Sequence, residues 1–309
     1  MAAVAARDSS RAEGFALRHA IPKAYGGYEE MLADPDIDAV YNPLPNSLHG
    51  PWTLRALAAG KHVLCEKPFA SNAAQAQQVA DAAAASGLVV MEAMHYRYHP
   101  LIQRLRELVA ELGPVRHIQC WTSFVIEDPD DIRYDYDLAG GALMDGGCYA
   151  IDCLRLLGDG EPSVSGALAD PWPEGAAAGE RRVADRAIAV RLDFPGGATG
   201  WFESAFTRSG EFRADVHVSC RDGQVWMQDF IRAHQGRVMA TRKGVLAADE
   251  HGSGDTTFTW QLRAFAAAIA AADEGSSVEG ALPTSAANAV ATMRVIDDAY
   301  RAAGLALRP

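Results

Sequence analysis

The stretch VLCEKPFAS, residues 63–71, decides how the first part of the chain is interpreted. An apolar run stops at the charged pair Glu66-Lys67, and Pro68 follows at once. A short apolar run that is bounded by turn residues is typical of a buried strand. Pro68 fixes its own φ angle and stiffens the turn that carries the two charges. The stretch therefore predicts a buried strand with a rigid, charged carboxyl end.

The sequence on either side of this strand alternates between strand-like and helix-like segments. Strands joined by crossover helices form parallel sheets that are covered by helices on both faces. We therefore predict an α/β, Rossmann-like nucleotide-binding domain over residues 1–98. Its predicted strands are residues 2–6, 39–42, 62–65 and 88–92, and its predicted helices are residues 11–19, 28–33, 46–59 and 72–86.

Beyond residue 99 the pattern changes to longer strands separated by glycine turns. It predicts a second, α+β domain over residues 99–309, with a largely antiparallel open sheet and helices on one side. The helix at residues 284–303 is a candidate to pack back on the first domain. The predicted strands are residues 115–125, 186–194, 198–207, 212–220, 224–230 and 237–242, and the helices are residues 101–112, 145–157, 259–273 and 284–303.

The composition excludes several classes of protein. A length of 309 residues exceeds what one hydrophobic core usually fills, so two domains are expected. The net charge of −12 argues against nucleic acid as a partner. No apolar run approaches the roughly 18 residues that span a bilayer, and no secretory signal is recognisable, so no membrane is expected. The five cysteines lack zinc-site spacing, which predicts no metal and reduced thiols in a cytoplasmic protein.

The strand ends of the first domain carry the candidate site. Ligands of open parallel sheets bind beyond the carboxyl ends of the strands. Each single strand end is simply explained as a solvated loop, but four of them at one edge of the sheet favour a binding site. These strand ends are Arg7, residues 43–46, residues 66–68 and residues 95–97.

Two groups of residues are suited to proton transfer. Lys67 follows a buried strand, and a lysine in a partly desolvated cleft is able to donate a proton to a substrate oxygen. The alternative is an exposed ion pair. In GGALMDGGCY, residues 140–149, Asp145 and Tyr149 are four apart and so lie on one face of a helix. Such a pair is able to orient a hydroxyl group; the alternative is a capping aspartate and a core tyrosine.

Three stretches carry a resemblance to a known family: VYNPLPNSLHGPWTLRALAAGKHVLCEKPFA (residues 40–70), MEAMHYRYHP (91–100) and GGALMDGGCYAIDCLRLLG (140–158). In this order they resemble the glucose–fructose oxidoreductase/inositol dehydrogenase (Gfo/Idh/MocA) family. Within it they are most similar to the branch of dihydrodiol dehydrogenases and NADP-dependent xylose dehydrogenases. The resemblance covers nearly the whole chain.

The resemblance implies an NAD(P)-dependent oxidoreductase that transfers hydride between a nicotinamide and a hydroxyl-bearing carbon of a sugar, polyol or cyclic diol. It implies that Lys67 is the catalytic lysine and that Asp145 positions the reacting hydroxyl. Tyr149 stands where the family carries His or Tyr as the acid–base partner. Either Tyr149 or Lys67 is the immediate proton acceptor, and a nearby ammonium is expected to favour the phenolate of Tyr149.

The resemblance also implies the binding residues. Arg7 matches the position at which the adenine ribose is read, where arginine accommodates a 2′-phosphate, so NADP is favoured over NAD; a plain surface charge is the alternative. The remaining implied cofactor contacts are Pro43, Leu44, Asn46, His49, Glu66, Lys67, Pro68 and Arg97. The implied substrate contacts are His95, Tyr96, Phe124, Asp145 and Tyr149.

One family feature is missing from the sequence. The phosphate-binding turn G-x-G-x-x-G and the strand before it do not occur near Met1, so the nucleotide-binding domain is expected to lack its first βα unit. A misplaced start or a truncated chain is favoured over a naturally shortened relative, because every downstream catalytic position is present. A non-catalytic binding or assembly protein is the alternative function.

The second domain is expected to make a homo-oligomer. Trp201, Phe202 and Phe206 lie along one predicted strand of a sheet whose second face has no obvious helical cover. This pattern favours a dimer or tetramer through that sheet, and core packing of the three aromatic residues is the alternative.

Overall fold

The computed structural model describes residues 1–173, 182–208, 210–275 and 282–309. Within these residues the chain forms an α/β half followed by a half built on one large sheet. The first half consists of β1 (Ala3–Ala5), α1 (Ser9–His19), β2 (Lys23–Tyr25), α2 (Tyr28–Leu32), β3 (Ala39–Asn42), α3 (Asn46–Ala58), β4 (His62–Cys65), α4 (Ala73–Ser86) and β5 (Val90–Glu92).

The strands of the first half are parallel, as predicted, but they form two separate sheets. One sheet has the order β1-β2 and the other β3-β4-β5. No backbone pairing joins the two sheets within the residues that the structure describes. In the larger sheet Asn42 is paired with Cys65, and Cys65 with Glu92. The carboxyl ends of β3, β4 and β5 therefore lie side by side.

Polar side chains set where the helices of this half begin. The side chain of Asp8 accepts a hydrogen bond from the Ser10 amide at 2.8 Å at the start of α1. Asn72 does the same for the Gln75 amide at 2.9 Å at the start of α4. The cap of α4 comes five residues after Lys67, so it also fixes the far end of the loop that follows β4.

The second half is dominated by an eight-stranded sheet of order β13-β12-β11-β10-β6-β9-β8-β7. The neighbours β6 and β9 are parallel, and the remaining pairs are antiparallel. The strands are β6 (Val115–Val125), β7 (Ser163–Trp172), β8 (Ala184–Asp193), β9 (Thr199–Thr207), β10 (Arg213–Cys220), β11 (Gly223–Gln228), β12 (Arg237–Arg242) and β13 (Val245–His251). The helices are α5 (Pro100–Glu111), α6 (Cys148–Leu157), α7 (Thr257–Asp273) and α8 (Ala286–Ala302).

Helix α8 connects the sheet to the first half, and α6 lies on the sheet beside it. Helix α6 packs on β6 and β9, whereas α8 packs on both β7 and α4. Across the α4–α8 contact, the amide of Ala73 donates to the carboxylate of Asp297 at 3.3 Å. The α/β half and the largely antiparallel second half confirm the predicted fold class. The exact domain boundary at residue 98 stays a prediction.

Three further findings concern membrane spans, metal ligands and cysteines in the described residues. None of their helices combines the length and the apolarity needed to cross a membrane. No group of three or more His, Cys, Asp or Glu side chains among them is arranged to hold a metal ion. All five cysteines are free and buried.

Candidate active site

Lys67 connects the two halves of the molecule. It follows β4, and its Nζ donates to Oδ1 of Asp145 at 2.5 Å and to the backbone carbonyl of Asp145 at 3.0 Å. The side chains of Lys67 and Asp145 are 13% and 15% exposed, so a small molecule has access to the pair. Sequence reasoning placed both residues in the site, and the structure brings them together.

The loop that carries Lys67 is held from two sides. The buried ring of His49 packs between the loops after β3 and β4, with its nitrogens 2.6 Å from the carbonyl oxygen of Leu44 and 2.7 Å from that of Pro68; a neutral ring donates its single N–H to one of the two. On the other side, the buried carboxyl of Glu92 accepts the amide of Phe69 at 3.0 Å. Burial lowers the pKa of His49. Predicted as a cofactor residue, His49 positions two loops.

Asp145 lies in a wide, π-helical turn, Leu143–Gly147, that leads directly into α6. The turn is pressed against the sheet at Gly146. A Cβ atom there would lie 2.6 Å from Oγ of Ser204 and 2.8 Å from the ring of Phe124. A side chain at this position would collide with both neighbours, and Phe124 lies beside the turn; its role as a substrate contact stays a prediction.

Arg133 is the second partner of Asp145. Its Nε donates to Oδ2 of Asp145 at 3.2 Å, so the carboxylate is bridged between Lys67 and Arg133. The carbonyl oxygen of Arg133 also accepts the amide of Gly141 at 2.8 Å. Arg133 is 45% exposed. Sequence reasoning missed it, because it lies in an irregular segment twelve residues before its partner.

The bridge keeps both partners charged. Burial disfavours the ammonium of Lys67, but the adjacent Asp145 carboxylate outweighs it, and the pKa of Lys67 is held above its ordinary value. Burial likewise opposes the carboxylate, yet Lys67 and Arg133 together hold the pKa of Asp145 below its ordinary value. Lys67 is therefore an ammonium and Asp145 a carboxylate at neutral pH.

Tyr149 lies under Lys67, in the first turn of α6. Nζ of Lys67 is 5.0 Å from the centroid of its ring. Burial, followed by the negative charge of Glu66, raises the pKa of Tyr149 well above its ordinary value. The expectation that Lys67 favours the phenolate is therefore wrong, because burial and surrounding acids outweigh the ammonium. The hydroxyl has no hydrogen-bond partner among the described residues, which leaves it available to a ligand.

His95 forms an aromatic wall next to Tyr149. The centroids of the two rings are 5.8 Å apart, and the His95 ring stacks on Phe258 at 4.1 Å. Nδ1 of His95 lies 2.8 Å from Oγ1 of Thr257 at the start of α7. Burial and the Lys67 ammonium lower the pKa of His95 to about 3, so the ring is neutral. Thr257 and Phe258 carry no pattern in the sequence that points to the site.

Tyr96 and Arg97 are not brought to the site. Tyr96 is fully buried, and its hydroxyl donates to Oδ2 of Asp152 at 2.5 Å. Arg97 forms an ion pair with Oδ1 of the same carboxylate at 2.9 Å. Both side chains are bonded to the buried Asp152 carboxylate, away from the Lys67–Asp145 pair, so their placement at the nicotinamide and substrate stays a prediction.

The other predicted cofactor residues follow the strands of the first half. Pro43 and Leu44 follow β3, and Asn46 donates to the carbonyl oxygen of Ala139 at 3.0 Å across to the second half. Glu66 accepts the hydroxyl of Tyr41 at 2.6 Å. Arg7 is exposed just after β1 and makes no ion pair within the described part of the chain.

These positions fit two ends of a dinucleotide. A partly exposed ammonium, a free phenol and rigid strand-end loops suit the nicotinamide end, and the exposed cation of Arg7 suits a 2′-phosphate. A glycine turn for the pyrophosphate is not among the described residues, so the fit is limited to these two ends.

Comparison with known proteins identifies the class and then the family. Residues 1–94 match the sequence model of an oxidoreductase family with an NAD-binding Rossmann fold. Residues 102–226 match the model of the Gfo/Idh/MocA C-terminal domain. The chain belongs to the Gfo/Idh/MocA oxidoreductase family, which confirms the resemblance noted in the sequence.

Similar curated proteins include D-xylose 1-dehydrogenase (NADP(+)) 2 of Haloferax volcanii, 44% identical over 66% of this chain and 61% of that protein. The trans-1,2-dihydrobenzene-1,2-diol dehydrogenase of Sus scrofa is 37% identical over 74% of this chain and 65% of that protein. The chain thus matches less than two thirds of the length of either relative.

Similar solved structures extend over nearly the whole chain. KijD10, a 3-ketoreductase from Actinomadura kijaniata in complex with NADP and TDP-benzene, is 26% identical, with a TM-score of 0.83, over 96% of this chain and 87% of that chain. The aldose-aldose oxidoreductase of Caulobacter crescentus, complexed with glycerol, is 28% identical, with a TM-score of 0.83, over 98% of this chain and 89% of that chain.

Proposed function

We propose that the protein is an NADP-dependent oxidoreductase that acts on a hydroxyl-bearing carbon of a sugar, polyol or cyclic diol. The observation that carries this proposal is the contact of Lys67 with Asp145, above the free hydroxyl of Tyr149, where the two halves meet. Family membership and the names of the similar dehydrogenases support it.

The residues divide the work between positioning and proton transfer. The Asp145 carboxylate keeps unused lone pairs on both oxygens, and these accept a hydrogen bond from the reacting hydroxyl. Tyr149 and Lys67 both carry a proton, so either is able to donate to a carbonyl oxygen in the direction of reduction. Oxidation of an alcohol requires one of them to release its proton first. A bound nicotinamide supplies or accepts the hydride.

NADP is favoured over NAD because of Arg7. Its exposed guanidinium has no competing ion pair in the described residues and lies beyond the carboxyl end of β1. An arginine there is suited to a 2′-phosphate, whereas an acidic side chain would repel it.

The first experiment is a titration with NADPH and NADH, followed by nicotinamide fluorescence. The proposal expects binding with a preference for NADPH, and Arg7→Ala is expected to reduce that preference. Xylose, other aldoses and cyclic diols are then tested for NADP reduction. Binding of neither nucleotide would contradict the proposal and favour the non-catalytic alternative.

The role of Lys67 is tested in the same assays. Lys67→Met removes the ammonium but keeps much of the side-chain volume, and we expect it to reduce kcat by about 100-fold or more. The affinity for NADPH is expected to change little. Lys243→Met, at the exposed turn between β12 and β13, is the matched control. A Lys67→Met variant with the wild-type rate would exclude the assigned role.

We also propose a homo-oligomer that forms through the open face of the large sheet. Trp201 lies on that face, 5.7 Å from Trp121, beside a depression of about 570 Å³. Phe202 and Phe206 alternate to the covered face and are buried, so core packing, the alternative weighed from the sequence, applies to these two. A cytoplasmic location is proposed because all five cysteines are free thiols.

A further inference from the structure

The segment after α8 runs back beneath the candidate active site. The hydroxyl of Tyr136 donates to the carbonyl oxygen of Leu307 at 2.5 Å, and Nδ2 of Asn72 donates to that of Arg308 at 3.0 Å. Tyr136 precedes the turn that carries Asp145, and Asn72 caps α4 just after the Lys67 loop. The segment is therefore held between the two loops that supply Lys67 and Asp145.

The side chain of Arg308 is the most deeply buried cation in the described residues. It forms an ion pair with Asp185 of β8 at 2.7 Å, and both side chains are 0% exposed. The hydroxyl of Tyr300 also donates to Asp185, at 2.8 Å, and the guanidinium lies 4.0 Å from the Tyr300 ring centroid. A buried ion pair costs much desolvation free energy, so it gains little stability over an apolar pair of similar volume.

The Arg308–Asp185 ion pair is also hydrogen-bonded at two points to the backbone that leads into the wide turn of Asp145. Nε of Arg308 donates to the carbonyl oxygen of Gly140 at 2.7 Å. The other oxygen of Asp185 accepts the amide of Leu143 at 2.7 Å. Between these points lies Gly141, with φ +134°. A Cβ atom there would lie 2.0 Å from Asp185, so the turn and the ion pair are in direct contact.

One more hydrogen bond connects Asp145 to the backbone held by this ion pair. Its amide donates to the carbonyl oxygen of Gly141 at 3.0 Å, in the first bond of the wide turn. We propose that Arg308, acting through Asp185, is a positioning residue that sets the Asp145 turn and with it the contact between Asp145 and Lys67. Neither residue touches the reacting groups, and the role deepens the function proposed above, on which it rests.

The test measures Lys67 directly, without a substrate. The chain is pulse-labelled with acetic anhydride over a range of pH, and mass spectrometry gives the pH at which half of Lys67 is labelled. We compare Arg308→Met and Arg308→Lys with Arg237→Met. Arg237 pairs with Asp249 through two hydrogen bonds, at 2.7 and 2.6 Å, in the outer part of the sheet and away from the candidate site.

Several charged or titratable groups surround Lys67 and enter this measurement. They come from its own loop, from α3, from the segment after β5 and from the turn and helix of the second half. These groups are Glu66, His49, His95, Asp145, Cys148 and Tyr149, with Arg133 acting on Asp145. Asp145 alone is bonded to the ammonium, so displacement of the turn removes the largest stabilising contact.

The expected result is a shift of the Lys67 labelling midpoint to lower pH, by about one unit, in Arg308→Met. Arg308→Lys keeps the charge but not the guanidinium that bonds Asp185 and the Gly140 carbonyl together, and its midpoint is expected to fall between those of Arg308→Met and the wild type. Arg237→Met is expected to match the wild type. Relative to the wild type, Arg308→Met is expected to lower kcat on the order of 100-fold, with a smaller change in KM.

An unchanged Lys67 midpoint in Arg308→Met would overturn the proposal. If circular dichroism shows that Arg308→Met does not fold, Arg308→Lys decides in its place, and an unchanged midpoint there also overturns the proposal. Because the labelling needs no substrate, a wild-type chain without dehydrogenase activity contradicts the proposed function alone.

Discussion

Lys67 and Tyr149 are both protonated, and this fact decides how the residues of the site are tested. The Asp145 carboxylate holds the pKa of Lys67 above its ordinary value, and burial holds the pKa of Tyr149 above its own. The hydroxyl of Tyr149 has no partner among the described residues, whereas the Lys67 ammonium is bonded to Asp145. Tyr149 is therefore the freer of the two to exchange a proton with a substrate.

Tyr149→Phe is expected to lower kcat about 100-fold or more, because it removes the hydroxyl and keeps the ring under Lys67. The affinity for NADPH is expected to stay within twofold. Steady-state kinetics with the best substrate of the screen measure both. Tyr28→Phe, the same chemical change beside Trp52, is the control. A rate within threefold of the wild type would assign the proton transfer to Lys67.

Glu92 gives the stability of the fold a dependence on pH. Its carboxyl is fully buried; burial, followed by the charge of Asp152, raises its pKa to about 8. In the unfolded chain the pKa is about 4.3. Between these values the folded protein binds a proton that the unfolded chain releases, so stability falls as pH rises.

Glu92→Gln is expected to remove this slope, since the amide oxygen still accepts the Phe69 amide but does not titrate. The free energy of unfolding of the wild type is expected to fall between pH 5.5 and 7.5, relative to the variant, by up to about 1.4 kcal/mol per pH unit. Urea unfolding at both pH values measures it. Glu107→Gln, on the exposed face of α5, should leave the slope of the wild type in place.

At the scale of the elements, the wide turn before α6 is the part most sensitive to a small change. Gly146→Ala places a methyl group against Ser204 and Phe124. We expect a destabilisation of about 1–3 kcal/mol and a loss of kcat of about tenfold or more. Gly166→Ala on β7, where nothing lies within 4 Å, is the control. Wild-type kcat in a destabilised Gly146→Ala variant would show that the turn tolerates displacement.

The elements that the sequence predicted are those with a strong local pattern. The strands β3, β4, β6 and β9 read as apolar or alternating runs, and α4 is bounded by Asn72 and Gly87. The edge strands β7 and β13 were missed. Pro171 and a glycine interrupt β7, and the second half of β13 carries Asp249 and Glu250; both features are tolerated at sheet edges, where half of the backbone groups face solvent.

A site residue could be predicted only where a side chain suited to proton transfer or binding stands at the end of a strand or the start of a helix. Lys67, Asp145 and Tyr149 satisfy that condition. Arg133 and Arg308 do not, because they reach the site from an irregular segment and from beyond the last helix. Tyr96 and Arg97 also follow a strand, but their side chains are bonded to the buried carboxylate of Asp152. No pattern in the segment after β5, which carries both residues, signals that distant partner.

At the scale of the whole molecule, the open face of the large sheet predicts the assembly. Trp121 lies between Trp201 and Trp226, with centroid distances of 5.7 and 6.0 Å, and these rings form an aromatic surface. Trp201→Glu is expected to convert a wild-type dimer or tetramer into monomer, measured by sedimentation velocity at micromolar concentration. Leu17→Glu, on α1 and 85% exposed, is the control. A monomeric wild type would contradict the proposed interface.

The division of the nucleotide-binding half into two sheets has a consequence for amide hydrogen exchange. Helix α2, which follows the β1-β2 pair, contacts helix α3 of the larger sheet through side chains, with Tyr28 against Trp52 at 4.8 Å and Arg55 to Glu29 at 2.6 Å. Because the described residues give the two sheets no shared ladder of backbone hydrogen bonds, the β1-β2 pair is able to open as a unit of its own. Its amides should exchange earlier than those of β4. A dinucleotide that contacts both Arg7 and the loop at Pro43 and Leu44 after β3 would protect the two sheets together, so the exchange rate of β1 would report on the nucleotide.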